Sequence, residues 1–319
     1  MTGEPNLSGA TSTHAAGRPR ATVAIITRNR RSQLLRTLDR LAEIPENPEV
    51  IVTDNASTDG TAAAVGAYHP STTVLRPGRN LGALGRNLAV AHAATDYVAF
   101  CDDDSWWEPG SLDRACRVLD AHPGLGLLAA RTLVGAGPGA RPDPLNERLA
   151  EGPSVFGFLG CAAVVRRSAF MDCGGFHPLL FFGAEETLLA YDLAAHGWAR
   201  CYRPDVVARH DPDPDAPGPD ASDPDGGDTG SGDTDSGRAD RSALVRRNEV
   251  LTAWLRRPLP LALRRTGALS AAAVHDRASR KALRGTLRRL PAALRMREPL
   301  PQPVEKVARA AERRPGTRR

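Results

Sequence analysis

The sequence predicts an α/β chain: a doubly wound, mostly parallel sheet flanked by helices, followed by a basic helical extension at the C-terminus. Three observations carry this reading. Short apolar runs of strand type recur through the first hundred residues, and each ends in a polar loop. Between them apolar residues fall at helical spacing, and the connections are short. Strands that alternate with helices in this way pair in parallel.

Ala21-Thr22-Val23-Ala24-Ile25-Ile26-Thr27 is a β-branched run, and Leu34, Leu35, Leu38 and Leu41 repeat after it at helical spacing. Glu49 to Thr53 forms a second strand. It ends in the polar loop 54–61, rich in N-cap residues, which leads into an alanine-rich helix over 62–67. Thr72 to Leu75 is a third short strand, and Gly78-Arg79-Asn80-Leu81-Gly82 opens a helix that reaches Ala93. The apolar run from Tyr97 to Cys101 is a buried fourth strand. No G-x-G-x-x-G follows the first strand, so a Rossmann dinucleotide site is unsupported.

The fourth strand stops in three consecutive carboxylates, Asp102, Asp103 and Asp104. Adjacent anions repel one another unless a cation sits among them. In open α/β sheets ligands bind outside the carboxyl ends of the strands, which is where these residues fall. Mg²⁺ and Mn²⁺ take carboxylate oxygens and bridge to substrate phosphates, so one reading is a metal–diphosphate site. The other is a solvated acidic turn that caps the next helix.

The 319 residues allow one large domain or two, and a hydrophobic content of 41% supplies a substantial core. Nearly all basic residues are Arg, with Lys only at Lys281 and Lys306, a bias expected of a GC-rich bacterial genome. The cysteines, at 101, 116, 161, 173 and 201, form no C-x-x-C pair, which argues against a zinc site or a disulfide framework and for a reducing cytoplasm. No apolar run approaches the roughly 20 residues of a membrane span, and no signal segment opens the chain. Residues 1–20 are expected to form a disordered leader, and 21–210 the main domain.

The formal charge of +5 conceals two opposed segments. Residues 211–240 hold ten Asp, one Arg and no large apolar residue, so a disordered acidic linker is expected. Residues 241–319 hold 21 Arg and Lys against five acids. Leu244, Val245, Val250, Leu251, Trp254 and Leu255 are helically spaced, as are Ala282, Leu283, Leu287, Leu290 and Leu294, interrupted by Pro291. The expected role of this extension is packing on the main domain. Peripheral contact with anionic lipid at the inner face of the membrane ranks second, and nucleic acid a distant third for want of stacking aromatics.

Read in order, the motifs carry a resemblance. Ile25-Ile26-Thr27-Arg28-Asn29-Arg30, then Val52-Thr53-Asp54-Asn55-Ala56-Ser57-Thr58-Asp59-Gly60-Thr61, Arg79-Asn80-Leu81-Gly82, Gly85-Arg86-Asn87 and Phe100-Cys101-Asp102-Asp103-Asp104 resemble the nucleotide-sugar half of family 2 glycosyltransferases. Phe158 to Ala162, Arg166 to Phe170, Gly174-Gly175-Phe176, Phe182-Gly183-Ala184-Glu185-Glu186, His196-Gly197-Trp198 and Arg209-His210 resemble its acceptor half. The resemblance spans roughly Thr22 to His210.

It implies a GT-A fold, a nucleotide-diphospho-sugar donor, a hydroxyl acceptor and, usually, inversion at the anomeric carbon. Asp54 resembles the residue that binds the donor base. Asp102 and Asp104 resemble the outer members of a D-x-D motif that meets ribose and a divalent Mg²⁺ or Mn²⁺, with His210 completing the metal site. Thr27, Arg28, Asn29, Arg79, Asn80, Arg86 and Asp103 are the remaining candidates for donor contact, although the arginines also read as plain surface residues. Glu186 stands where the family carries its base, but the pair here is Glu-Glu, so Glu185 stays an alternative. Acidic residues also favour the first turn of a helix. Two rival functions stand beside this one. A nucleotidyltransferase would want a glycine-rich loop after the first strand, which Thr27-Arg28-Asn29-Arg30 lacks, and a catalytically degenerate sugar-binding protein would not need the intact carboxylates.

Overall fold

The computed structural model describes residues 19–150, 156–212 and 234–312. Strands β1 (Ala21–Thr27), β2 (Glu49–Asp54), β3 (Thr73–Leu75) and β4 (Tyr97–Asp102) pair in parallel in the order β3-β2-β1-β4. They are joined through α1 (Arg31–Ala42), α2 (Thr61–Tyr68) and α3 (Gly85–His92). The leucine stripe of α1 does what its spacing predicts: Leu34, Leu38 and Leu41 are buried, with Thr37 among them. Burying each such leucine is worth about 1.5–3 kcal/mol.

Beyond β4 the sheet changes character. It continues through β8 (Ala163–Arg166), β6 (Leu125–Val134), β9 (Ala199–His210) and β5 (Ser105–Trp107), with β8 antiparallel to both neighbours and β9 parallel to β6. The short β7 (Arg141–Pro142) pairs with β6. Helices α4 (Ser111–Ala121), α5 (Pro144–Ala150), α6 (Arg167–Asp172) and α7 (Glu185–Ala195) complete this half. Apolar clusters fill both faces of the sheet, one around Val23, Ile25, Leu38 and Trp107, the other around Phe100, Phe170, Phe176 and Leu189. The carboxyl ends of β1, β2 and β4 therefore open on one edge, and β9 ends at the same edge because Ser105 pairs with His210.

Four C-terminal helices follow: α8 (Thr234–Arg256), α9 (Leu259–Ala273), α10 (Arg277–Arg295) and α11 (Gln302–Glu312). They pack against the main domain, sharing a core in which Leu180 and Leu188 meet Val250, Leu251, Trp254 and Leu255. Part of their basic charge is neutralised inside. Arg256 pairs with Asp192 of α7, and the fully buried Arg257 donates to Glu305 at 2.7 Å and to the Tyr191 hydroxyl at 2.8 Å.

The structure departs from the sequence reading at three places. Helix α10 runs through Pro291 without a break; the ring is exposed, and Pro291 contributes no N–H to the helical ladder. Residues 234–240 of the expected linker form the start of α8, and Asp240 accepts from Lys281 Nζ at 2.7 Å. The rest of that linker, 213–233, and the leader to residue 18 lie outside the described residues. Arg20, also assigned to the leader, pairs with Asp113 and Asp120 of α4. Among the described residues no helix is long and apolar enough to cross a membrane.

Candidate active site

The three aspartates at the end of β4 point to different partners. Asp103 turns inward: its Oδ2 accepts from Thr27 Oγ1 at 2.8 Å and its Oδ1 lies 3.1 Å from Arg30 Nε, while its backbone oxygen accepts from Thr37 Oγ1 at 2.9 Å. Burial pushes its carboxyl up to about 7 against the pull of Arg30. Asp103 and Thr27 thus satisfy each other. The reason is geometric, since the turn after β4 must aim one of three adjacent carboxylates into the sheet.

Asp104 and Asp102 face the edge. Asp104 Oδ2 accepts from Arg30 Nη2 at 2.7 Å, and its Oδ1 lies 3.3 Å from His210 Nε2. Burial works against the Asp104 anion, but the His210 hydrogen bond and the Arg30 charge outweigh it and hold the carboxyl below its usual range. Asp102 is partly exposed and accepts from the guanidinium of Arg86. Arg30, which neutralises two of the three aspartates, is a site residue that sequence reasoning missed. Four polar residues, 28–31, follow β1, and nothing in their order says which one turns under the acidic turn.

Arg86 itself is 2% exposed. Its guanidinium lies over the rings of Phe100 and Phe176, 5.9 and 5.8 Å from their centroids. Burial disfavours the cation, but Asp102, Glu185 and Glu186 together hold its pKa above the ordinary value. A Cβ at Gly160 would lie 3.0 Å from Glu186 Oε1 and 3.3 Å from Arg86 Nη2, so glycine there leaves room for both groups. Glu185 is buried and its Oε2 has no hydrogen-bond partner. Burial, and then the Glu186 charge, push the Glu185 carboxyl well above the usual range, whereas the Glu186 side chain is only half-buried.

Two glycines bring the Glu pair to this edge. Gly82 adopts φ +56° and lets Ala83 N donate to Phe181 O at 2.8 Å; a Cβ at 82 would stand 2.2 Å from that oxygen. Gly183 and Ala184 are both left-handed, at φ +86° and +62°, and the chain turns through them directly into α7.

The donor-side loops are tied together by their own polar groups. Asp54 is buried at the end of β2 and accepts from Ser57 N through Oδ1 at 2.8 Å. Asn29 accepts from Thr58 N at 2.7 Å and donates through its backbone N–H to Ser57 Oγ at 2.9 Å. Asn80 caps Gly82 N at 3.0 Å, and its Nδ2 is buried without a hydrogen-bond partner. Arg28 is half-buried beside β1, while Arg79 is exposed.

Among the described residues no three His, Cys, Asp or Glu side chains converge as a ready metal cage. The 3.3 Å Asp104–His210 pair still supplies one carboxylate oxygen and one imidazole nitrogen at the edge. That donor set fits Mg²⁺ or Mn²⁺, which keep several positions for water and substrate phosphates.

Residues 22–181 match the model of the family described as glycosyl transferase family 2. The chain is 29% identical over 229 residues to an N-acetylglucosaminyl-diphospho-decaprenol L-rhamnosyltransferase of Mycobacterium tuberculosis, covering 59% of this chain and 75% of that one. It is 32% identical over 208 residues to a pre-mycofactocin glycosyltransferase of the same organism, covering 60% of this chain but 42% of that one. Among solved structures, a mannosyltransferase of Pyrobaculum calidifontis in complex with GDP-Man and Mn²⁺ aligns with a TM-score of 0.55 at 22% identity, over 93% of this chain and 76% of that one. GalNAc-T7 with UDP, GalNAc and Mn²⁺ aligns with the same TM-score at 14% identity, over 76% and 49%. These two show the shared GT-A fold. With the family match spanning half the chain and the strand-end carboxylates lying within it, the chain belongs to glycosyl transferase family 2 and is a glycosyltransferase.

Proposed function

We propose that the chain moves a sugar from a nucleotide-diphospho-sugar to a hydroxyl acceptor by a single displacement that inverts the anomeric carbon. One observation carries this reading: buried Arg86 binds Asp102 on the donor side and stands within electrostatic reach of the Glu185–Glu186 pair that opens α7. Glu186 takes the acceptor proton as the acceptor oxygen attacks, and the bond to the diphosphate oxygen breaks with its electron pair leaving on the nucleotide. A base must be ionised and reachable, which favours the half-exposed Glu186 over the buried Glu185. Asp54 binds the donor base, and Arg28, Asn29, Arg79 and Asn80 line the route to it. Asp102 and Asp104, with His210, would hold Mg²⁺ or Mn²⁺, which would supply positive charge against that developing on the departing diphosphate. The Mn²⁺ complexes among the structural relatives support that assignment. Thermal-shift titration with UDP-, GDP- and thymidine-diphosphate sugars, with and without Mn²⁺, tests the reading: a ligand bound by the folded state raises the melting temperature. No Mn²⁺-dependent shift with any donor would sink it.

The acceptor in this proposal is lipid-linked, as in the rhamnosyltransferase named for its diphospho-decaprenol substrate. Helix α10 supports a peripheral site at the inner membrane face. Its solvent side carries Arg277, Arg280, Arg284, Arg288 and Arg295 with the exposed Leu287 and Leu294, and the helix contains no acid. Such a face suits anionic headgroups. Co-sedimentation with phosphatidylglycerol vesicles, reduced by salt and absent with phosphatidylcholine, is the expected result; equal recovery from both lipids would refute it.

A further inference from the structure

The helix that follows the acidic segment reaches back to the turn in front of the catalytic carboxylates. Asn248 of α8 is fully buried. Its Nδ2 donates to Phe182 O at 3.0 Å and to Gly183 O at 2.6 Å, while its Oδ1 accepts from Arg247 Nε at 3.0 Å. Both amide hydrogens are therefore used on consecutive carbonyls, and the Arg247 contact fixes which end of the amide faces the turn.

Those two carbonyls belong to the peptides on either side of the left-handed Gly183, and the second leads into left-handed Ala184. A non-glycine residue in that region costs about 1–2 kcal/mol and persists only where its surroundings over-determine it. Without the Asn248 donors, both carbonyls would lose their partner and the turn would be free to relax. Helix α8 also presses on the turn directly: a Cβ at Gly183 would lie 3.0 Å from Val245 Cγ2. Farther along, Arg256 at the end of α8 and Arg257 just past it grip Asp192 and Tyr191, so this segment braces α7 at both ends.

We propose that Asn248 is a positioning residue for sugar transfer, holding the 182–184 turn so that Glu185 and Glu186 meet Arg86 and the acceptor. The proposal rests on the reading of Glu186 as the base. The C-terminal extension is then part of the catalytic apparatus, although the family match ends at residue 181.

The test compares Asn248→Ala and Asn248→Ser with Leu251→Ala, a fully buried residue of the same helix whose apolar side chain can donate to neither carbonyl. Turnover is read with the donor that responds in the nucleotide-sugar screen, and binding with UDP or the matching diphosphate plus Mn²⁺. The expected result is a 10- to 100-fold loss of kcat in both Asn248 variants, roughly the cost of misplacing a reacting group by an ångström. Diphosphate–Mn²⁺ affinity should stay within about threefold by the same argument. Amide exchange of residues 183–187 should speed up in these variants and not in Leu251→Ala, which keeps its kcat below its melting temperature. Unchanged kcat in the Asn248 variants, an equal loss in Leu251→Ala, or failure of both Asn248 variants to fold would overturn the proposal. Glu185→Gln and Glu186→Gln run in parallel. If both keep full activity, the base reading falls and this proposal with it; if Glu186→Gln is inactive while the Asn248 variants turn over normally, only the positioning role falls.

Discussion

Arg86 donates to Asp102 from a position that solvent scarcely reaches, so a cation between donor-side and acceptor-side carboxylates is locked in place. Removing it leaves the buried Glu185 and the partly buried Asp102 and Glu186 without their shared cation. Breaking a buried pair by deleting one partner costs about 3–5 kcal/mol. Arg86→Met is expected to lose stability on that scale in urea unfolding, and activity with it. Arg86→Lys should recover part of the stability but little of the turnover, because a point charge cannot replace a planar guanidinium over two aromatic rings.

Asp104→Asn and Asp103→Asn separate metal binding from structure. The first should abolish the Mn²⁺-dependent rise in melting temperature seen with a nucleoside diphosphate. The second removes a buried ion pair with Arg30 and should lower the melting temperature while keeping the Mn²⁺ response. A normal Mn²⁺ response in Asp104→Asn would remove that residue from the metal set.

Glu186→Gln is expected to lower turnover by about 10²–10⁴-fold, the usual contribution of a general base, with donor affinity unchanged. Glu185→Gln replaces a carboxyl whose charged form burial disfavours with a neutral amide of the same shape. Its melting temperature should hold or rise, and its turnover should fall far less. The reverse pattern in steady-state kinetics would exchange the two roles.

Acid should weaken the fold through His177. Burial, and then the Arg256 charge, push its imidazole down to about 4, and its Nδ1 accepts from Leu179 N at 3.2 Å, which requires the neutral ring. The unfolded chain takes up the proton near pH 6.5, while the folded one resists until about pH 4. Stability is therefore complete above the unfolded value and lost as pH falls toward the folded one, by at most roughly 3 kcal/mol before solvent screening. His177→Asn keeps an acceptor without the titration. Its melting temperature should fall less than that of the parent chain between about pH 7 and about pH 4.5.

Much of the fold was legible because burial imposes local patterns. The runs at 21–27, 49–53 and 97–101 are apolar enough to be central strands, and the leucines of α1 repeat at the spacing one buried face demands. The acidic strand end and the Glu pair were legible too, since unusual charge at an element boundary shows in any single sequence. The order β4-β8-β6-β9-β5 was not, because pairing between distant strands depends on how two faces of a sheet fill with side chains.

The sequence by itself picked out the acidic strand end and the Glu pair; the tertiary structure decided which residues share a space with them. Three adjacent aspartates are equivalent on paper, yet the packing of β1 against β4 sends Asp103 to Thr27 and Arg30 and leaves Asp102 and Asp104 at the edge. Arg28, Arg30 and Arg31 are likewise interchangeable until α1 docks. Asn248 did leave a trace, as the one amide on the apolar stripe Leu244, Leu251 and Leu255 of α8. A buried amide must find partners, but only the folded chain could name Phe182 and Gly183, because their carbonyls lie 66 and 65 residues away in sequence and meet Asn248 through core packing alone.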